Sequence, residues 1–282
     1  GVLWCCRTGG VAAAMSPALG DLSGDRIPDC VLGSDDKRAY ALSGKDGTVL
    51  WRHETGGMIG SHPALGDVDG DGSIDCVFGS QDGTVYALSG RDGVVKWSHP
   101  TGAAVWSSPA LGDVDGDGGV DCVVGSDDHR LYALSGRDGA LLWSKETGCE
   151  GMSSPLLGDL NGDGGLECVV HSDDGRVLAL SGKHGDVLWA FTTSAGVLNS
   201  PGLADVDGDG ILDCVVAAPE GYVYAIRGSD GRELWTWCPR TGNSETGISL
   251  WASPALGDVN GDGVVDCIVN DGTIYALSGK DR

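Results

Sequence analysis

The stretch Ser-His-Pro-Ala-Leu-Gly-Asp-Val-Asp-Gly-Asp-Gly-Ser-Ile-Asp-Cys-Val-Phe-Gly-Ser, residues 61–80, decides the fold. It is followed by Thr-Val-Tyr-Ala-Leu-Ser-Gly at 84–90 and by Val-Val-Lys-Trp at 94–97. Six copies of this pattern fill the chain, with the first loop aspartate at positions 21, 67, 113, 159, 205 and 258. The spacings of 46, 46, 46, 46 and 53 residues are typical of four short strands that make one blade of a β-propeller.

Each repeat predicts four strands separated by Asp-Gly turn signals. In the second repeat they are Pro63–Asp67, Asp75–Gly79, Val85–Ser89 and Val95–Trp97. Several strands are apolar on both faces, which suits a sheet stacked between two others. We therefore predict an all-β fold of four-stranded antiparallel blades. The chain would be a single six-bladed β-propeller over residues 1–282, with repeats beginning near 16, 62, 108, 154, 200 and 253.

The two chain ends complement each other. The sequence stops at Ser-Gly-Lys-Asp-Arg, residues 278–282, and starts at Gly-Val-Leu-Trp, residues 1–4. Joined, they reproduce the junction that reads Ser181 to Trp189 in the fourth repeat. We expect residues 2–4 to supply the outer strand of the last blade, because this closes the ring and hides its edges. The alternative is that residues 2–4 belong to a preceding propeller in a longer chain.

Carboxylates recur at positions 1, 3, 5 and 9 of a nine-residue loop, as in Asp67, Asp69, Asp71 and Asp75, with the Ser73 carbonyl at position 7. An oxygen-only set of this kind suits calcium, which takes six to eight oxygen ligands, better than zinc, copper or magnesium. The equivalent sets are Asp113, Asp115, Asp117 and Asp121; Asp159, Asn161, Asp163 and Glu167; Asp205, Asp207, Asp209 and Asp213; and Asp258, Asn260, Asp262 and Asp266. We expect five or six calcium ions.

The first loop departs from the others. Its candidate ligands are Asp21, Ser23, Asp25 and Asp29. Arg26 replaces the usual glycine and Pro28 precedes the last ligand, so we expect weaker occupancy or none there.

The net charge of −23 argues against a nucleic-acid partner, because phosphate binding needs clustered Lys and Arg. The six loops hold 21 of the 41 acidic residues, and six divalent cations would reduce the charge to −11. Asp-Gly repeats can also be simple turn formers, but clustered carboxylates at fixed spacing would repel one another without a cation. No nucleophile or base recurs beside the loops, so we predict structural ions and no enzymatic activity.

In these loops the chain resembles the FG-GAP or integrin-α-type propeller repeat. The segment Tyr86–Gly93 followed by Trp97 is also similar to quinoprotein propeller repeats. The resemblance implies calcium-binding hairpins and a Trp girdle that docks adjacent blades. The six girdle positions are Trp4, Trp51, Trp97, Trp143, Trp189 and Trp235.

Six of the ten cysteines share one strand position: Cys30, Cys76, Cys122, Cys168, Cys214 and Cys267. We expect buried thiols there, because equivalent sites in adjacent blades are too far apart for a disulfide. The other four, Cys5, Cys6, Cys149 and Cys238, break the repeat. A disulfide between Cys6 and Cys238 would tie the N-terminal strand to the neighbouring blade, although sequence does not settle the pairing.

Non-repeating residues cluster on the face opposite the loops. Three residues before each recurring proline stand Ala14, Gly60, Trp106, Met152, Leu198 and Trp251, which should surround the mouth of the central channel. The four bulky apolar residues, Trp106, Met152, Leu198 and Trp251, either bind a partner or plug the channel. The last repeat adds about seven residues within 239–250, where surface loops often carry function.

Three functions compete. The leading hypothesis is a calcium-stabilised recognition or assembly module, secreted or at the cell surface, or periplasmic if bacterial, with a protein or glycan partner or copies of itself. No apolar run is long enough to span a membrane. The alternative is a carbohydrate-binding propeller, and a quinone-dependent dehydrogenase ranks third because no cofactor site is visible.

Overall fold

A computed structural model gives the structure of the chain. It describes residues 1–10, 16–148, 154–172, 174–193, 200–218, 221–238, 253–270 and 272–279. The described residues form 23 β-strands in six antiparallel sheets, five of four strands and one of three. The all-β prediction with repeated four-stranded sheets is therefore confirmed.

The strands follow one another within each sheet. Sheet 1 contains β1 Ala18–Gly20, β2 Asp29–Leu32, β3 Arg38–Leu42 and β4 Val49–Glu54. Sheet 2 contains β5 Ala64–Gly66, β6 Asp75–Gly79, β7 Thr84–Ser89 and β8 Val95–Pro100. Sheet 3 contains β9 Ala110–Gly112, β10 Asp121–Ser126, β11 Arg130–Leu134 and β12 Leu141–Glu146.

The second half repeats this order. Sheet 4 contains β13 Leu156–Gly158, β14 Glu167–His171, β15 Arg176–Ser181 and β16 Val187–Thr192. Sheet 5 contains β17 Gly202–Ala204, β18 Asp213–Ala217, β19 Val223–Ile226 and β20 Glu233–Trp237. Sheet 6 contains β21 Ala255–Gly257, β22 Asp266–Asn270 and β23 Ile274–Leu277.

The chain divides into two compact units. The first comprises residues 1–146 and 150–155, and the second comprises residues 147–149 and 156–282. Each unit thus carries three sheets, and the prediction of a single domain over residues 1–282 stays a prediction. The described residues contain no helix long and apolar enough to cross a membrane.

Within each unit, neighbouring sheets pack through buried apolar side chains. In the first unit, one core joins Val31 and Trp51 of sheet 1 to Phe78 of sheet 2. The second strand of sheets 2 to 5 is buried throughout, as the pattern of β6 shows, whereas β2 is buried at alternate residues. Double burial explains why these strands are apolar on both faces.

Three of the recurring tryptophans join consecutive sheets within a unit. Trp51 of β4 is 6% exposed, and its indole N–H donates to the Gly90 carbonyl of sheet 2 at 2.5 Å. Trp97 repeats this contact with Gly136 at 2.5 Å, and in the second unit Trp189 repeats it with Gly228 at 2.6 Å. The expected role of these residues in packing between blades agrees with these contacts.

The predicted closure of the ring involves residues 2–4 at the N-terminus. Residues 2–4 form no strand, and sheet 6 has three strands among the described residues. Val2 and Leu3 are exposed, and the closure of the last blade by residues 2–4 stays a prediction. Trp4 nevertheless makes the expected girdle contact, since its indole N–H donates to the Gly44 carbonyl at 2.9 Å. Trp4 thus docks on the first blade through its side chain.

Candidate metal loops

The loops between the first and second strands of each sheet share one backbone path. In the third loop, Asp113 Oδ1 accepts a hydrogen bond from Gly116 N at 2.7 Å, and its Oδ2 accepts one from Gly118 N at 2.9 Å. Both glycines have a positive φ, 83° and 86°. Left-handed backbone of this kind favours glycine, which is why the loop sequence alternates Asp with Gly.

The contact from the sixth loop residue to the first carboxylate recurs in all six loops at 2.9 Å. The pairs are Arg26 with Asp21, Gly72 with Asp67, Gly118 with Asp113, Gly164 with Asp159, Gly210 with Asp205, and Gly263 with Asp258. The first loop therefore adopts the same path although Arg26 has a φ of 70°. A non-glycine residue in this region costs about 1–2 kcal/mol relative to the right-handed region.

The ninth loop residue is a buried carboxylate in every repeat. The residues are Asp29, Asp75, Asp121, Glu167, Asp213 and Asp266, each 5% exposed or less. One oxygen accepts from the backbone N–H of the second loop residue, as Asp213 Oδ2 does from Val206 at 3.1 Å. Its Oδ1 accepts from Gly228 N at 3.1 Å, which ties the loop to the turn between the third and fourth strands. The loop and this turn therefore lie at the same end of the sheet.

Burial makes four of these carboxylates costly to ionise. It raises the pKa of Asp75, Asp121 and Glu167, and it raises the pKa of Asp213 to about 6, with a smaller contribution from the nearby carboxylates Asp207 and Asp209. A buried carboxylate beside other carboxylates is stabilised in its charged form when a cation lies next to it.

Three loops bring carboxylate oxygens within 4.8 Å of one another. The groups are Asp67, Asp69 and Asp71; Asp113, Asp115 and Asp121; and Asp205, Asp207 and Asp213. In the second loop Asp67 Oδ1 is buried and receives no hydrogen bond. An orphaned buried oxygen is expensive unless an ion or water meets it, so the donor set fits a hard divalent cation.

The fourth and sixth loops use an asparagine at position 3. The Asn161 amide donates to Asp163 Oδ2 at 3.0 Å and to Glu167 Oε1 at 3.2 Å. These contacts bring the side chains of positions 3, 5 and 9 together, as the sequence predicts. Asn260 repeats the contact with Asp266 Oδ1 at 3.4 Å.

Two loops contain a basic side chain that the sequence analysis missed. Lys96 Nζ lies 2.5 Å from Asp69 Oδ2, 2.7 Å from Asp71 Oδ2 and 3.2 Å from Asp75 Oδ1. In the fifth loop Arg227 Nη2 lies 3.1 Å from Asp207 Oδ2. Burial alone would lower the pKa of Lys96, but its contacts with the three carboxylates raise that pKa above its ordinary value.

Aligning the repeats would have revealed both. Lys96 stands where four other blades have Leu50, Leu142, Leu188 and Leu234. Arg227 stands where four other blades have Ser43, Ser89, Ser135 and Ser181.

A cavity of about 360 Å³ lies between the second and third loops. Asp67, Asp69 and Asp121 contribute to its walls, together with Ser135 and Arg137. The gap between adjacent loops therefore carries both charge signs, and Val68 and Val120 add apolar surface to it.

A second recurring aspartate has a different role on the opposite face. Asp82 Oδ2 accepts from Gly56 N at 2.7 Å and from the Tyr86 hydroxyl at 2.9 Å. Asp128 repeats these contacts with Gly102 and Tyr132. These carboxylates fix the connector from one blade to the turn of the next blade.

Of the four bulky candidate partner residues, Trp106 lies within the described part of the chain. Trp106 is 38% exposed and its ring covers Gly60, where an added Cβ would lie 2.4 Å from the ring. Met152, Leu198 and Trp251 lie outside the described residues, as do Ala14 and residues 239–250. Trp106 therefore presents a face to solvent and is not wholly packed into the interior.

The repeating cysteines behave as apolar core residues. Cys76, Cys122, Cys168, Cys214 and Cys267 are buried, whereas Cys30 is half-buried. Burial raises the pKa of Cys76 and Cys122, and it raises that of Cys214 to about 12, so these thiols stay protonated. The Cys6 thiol donates a weak hydrogen bond to the Arg7 carbonyl, and Cys149 lies outside the described residues. The pairing of Cys6 with Cys238 stays a prediction.

A family model described as "Outer membrane protein assembly factor BamB" matches residues 12–103, 35–154 and 99–282, in overlapping segments that cover most of the chain. The chain belongs to this family. The match confirms the similarity to quinoprotein-like propeller repeats, and it does not confirm the likeness to integrin-type repeats. A search of curated protein sequences finds no match.

Solved structures support the same fold. BamB from Moraxella catarrhalis superposes with a TM-score of 0.65 and 16% identity, over 95% of this chain and 78% of that one. A quinohemoprotein alcohol dehydrogenase from Pseudomonas putida gives a TM-score of 0.67 and 14% identity, over 95% of this chain and 52% of that one. The V. cholerae biofilm matrix protein Bap1 gives a TM-score of 0.64 and 24% identity, over 85% of this chain and 42% of that one. At these identities the likeness shows the fold alone.

Proposed function

We propose that this chain is a calcium-stabilised, six-bladed propeller that binds other proteins in an assembly outside the cytoplasm, and that it is not an enzyme. The observation that carries the proposal is the ninth loop carboxylate, which is buried in all six repeats beside further carboxylates. Such a set is stabilised by a hard cation, and carboxylates that serve as metal ligands are not free to act as general bases.

The loop residues would hold calcium as a structural ion. The carboxylates of positions 1, 3, 5 and 9 would supply the ligands, and each ion would join the loop between the first two strands to the turn between the last two. Millimolar calcium outside the cytoplasm suits sites of moderate affinity. In this proposal residues 2–4 pair with β23 to close the ring, which would remove the exposed edge that Ile274 now presents at 77% exposure.

Membership of the assembly-factor family supports a protein partner. Because the blades are nearly identical, the residues that do not repeat are the ones that can make binding specific. Trp106 is such a residue, and its partly exposed indole over Gly60 offers the aromatic surface that protein interfaces favour. We therefore place the partner on the face of the Trp106 side chain.

Site-specific photocrosslinking tests the interaction. A photoreactive phenylalanine analogue replaces Trp106 in one variant and Leu141, which is 48% exposed at the start of β12, in the control. In the cells that make this protein, we expect a defined protein adduct from position 106 and none from position 141. An adduct of two copies would identify the partner as the chain itself. Equal labelling from both positions, or none from position 106, would contradict the proposal.

A further inference from the structure

Lys96 occupies the place in the second loop where a bound cation would be expected. Its ammonium contacts the carboxylates at loop positions 3, 5 and 9, namely Asp69, Asp71 and Asp75, at 2.5 to 3.2 Å. The Lys96 side chain is 14% exposed and the Asp75 side chain is fully buried. The ammonium is thus held inside the loop and is not a solvated surface charge.

The match between the ammonium and the three carboxylates is chemical as well as spatial. An ammonium has three N–H donors and no acceptor. Here it donates to Asp69 and Asp71 and forms an ion pair with Asp75 Oδ1 at 3.2 Å. A partly buried contact with several charges holds a side chain more firmly than a single exposed ion pair. A divalent cation would need the same oxygens, so the metal and the ammonium cannot occupy the loop together.

Arg227 in the fifth loop provides a comparison. Its guanidinium reaches one loop carboxylate, Asp207, and the Arg227 side chain is 37% exposed. Both loops hold a group of carboxylates with oxygens within 4.8 Å of one another, so the difference between them is how many carboxylates the basic side chain contacts. Arg227 therefore lies at the edge of its loop, whereas Lys96 lies within its own.

We propose that Lys96 is a built-in counter-ion that takes the place of calcium in the second loop, so that this loop stays folded without a metal ion and binds calcium more weakly than the third loop. The calcium half of this inference rests on the proposed function. The claim that the loop stays folded without a metal ion is independent of the proposed function, because it concerns only the repulsion between carboxylates that the ammonium relieves.

The test replaces Lys96 with the residue found in the other blades. Lys96→Leu removes the counter-ion, and Leu142→Lys places an ammonium at the equivalent position of the third loop. Lys145→Leu is the matched control, because it removes the same charge three residues further along the outer strand of sheet 3, about 10 Å from the equivalent position. Thermal unfolding is measured in chelator, and calcium binding is measured by titration calorimetry and by native mass spectrometry.

In chelator, we expect Lys96→Leu to melt below both the wild-type chain and Lys145→Leu. In calcium, we expect Lys96→Leu to bind the ion in the second loop about tenfold more tightly, the order that one contact between charged groups contributes. Leu142→Lys should weaken calcium binding at one site, the third loop. The inference is overturned if Lys96→Leu melts at the control temperature in chelator and binds calcium as the wild type does.

The two proposals fail in different ways. If neither the wild-type chain nor Lys96→Leu binds calcium, the proposed calcium sites are wrong, and the melting temperatures in chelator alone decide the role of Lys96. If the wild type binds calcium in the second loop as tightly as in the third, the calcium sites stand and the inference is overturned.

Discussion

Arg26 has a left-handed backbone, with a φ of 70°, at a loop position that glycine holds in the other five blades. The structure keeps this conformation because Arg26 N donates to Asp21 Oδ2 at 2.9 Å, the contact on which every loop is built. The sequence predicts a weakened first loop from the same substitution. What the pattern does not reveal is that the backbone path is retained and that the cost is local strain.

We therefore expect Arg26→Gly to raise the free energy of unfolding by about 1 kcal/mol, the cost of a left-handed non-glycine residue less the added entropy of glycine. Urea denaturation measures the change. Gly118→Ala, at the equivalent position of the third loop with a φ of 86°, should destabilise by a similar amount. Loss of stability in Arg26→Gly would show that the arginine side chain contributes more than its backbone strain costs.

At the scale of elements, the contact between blades depends on a glycine that follows the third strand. Gly136 lies beneath Trp97, and a Cβ added there would lie 1.7 Å from the Val120 carbonyl oxygen and 2.8 Å from that of Val68. The indole N–H of Trp97 bonds to the Gly136 carbonyl. Strand order, the Trp girdle and the presence of one loop in each blade could be predicted from the sequence repeat, since each recurs with the period of the repeat. The close approach of two blades at this glycine is a tertiary contact that periodicity does not contain.

Gly136→Ala should lower the free energy of unfolding by about 3 kcal/mol, because the Val120 oxygen of the same blade and the Val68 oxygen of the preceding blade leave no room for a Cβ. The control is Gly257→Ala in β21, where nothing lies within 4 Å of the added Cβ. Denaturant unfolding followed by Trp fluorescence measures both variants. Equal free energies of unfolding for Gly136→Ala and Gly257→Ala would contradict this tight packing around Gly136.

For the whole molecule, the sequence accounts for six repeats and six loops but not for how charge is balanced among them. Loop charge patterns look alike in sequence, yet Lys96 and Arg227 give two of the loops a cation of their own. The matching chain ends predict a clasp, and the structure shows the Trp4 side chain docked on the first blade. The charge balance of the loops is decided by single side chains rather than by the repeating pattern.

The most direct test of the account is the thermal stability of the intact chain in calcium, in magnesium and in chelator. A cation at 100 times its dissociation constant adds about 2.7 kcal/mol for each site, which is at least about 5 °C for a chain of this size. The account predicts an increase of that size or larger in calcium, and a smaller one in magnesium. Equal melting temperatures in calcium and in chelator would contradict it, because the buried loop carboxylates would then need no metal ion.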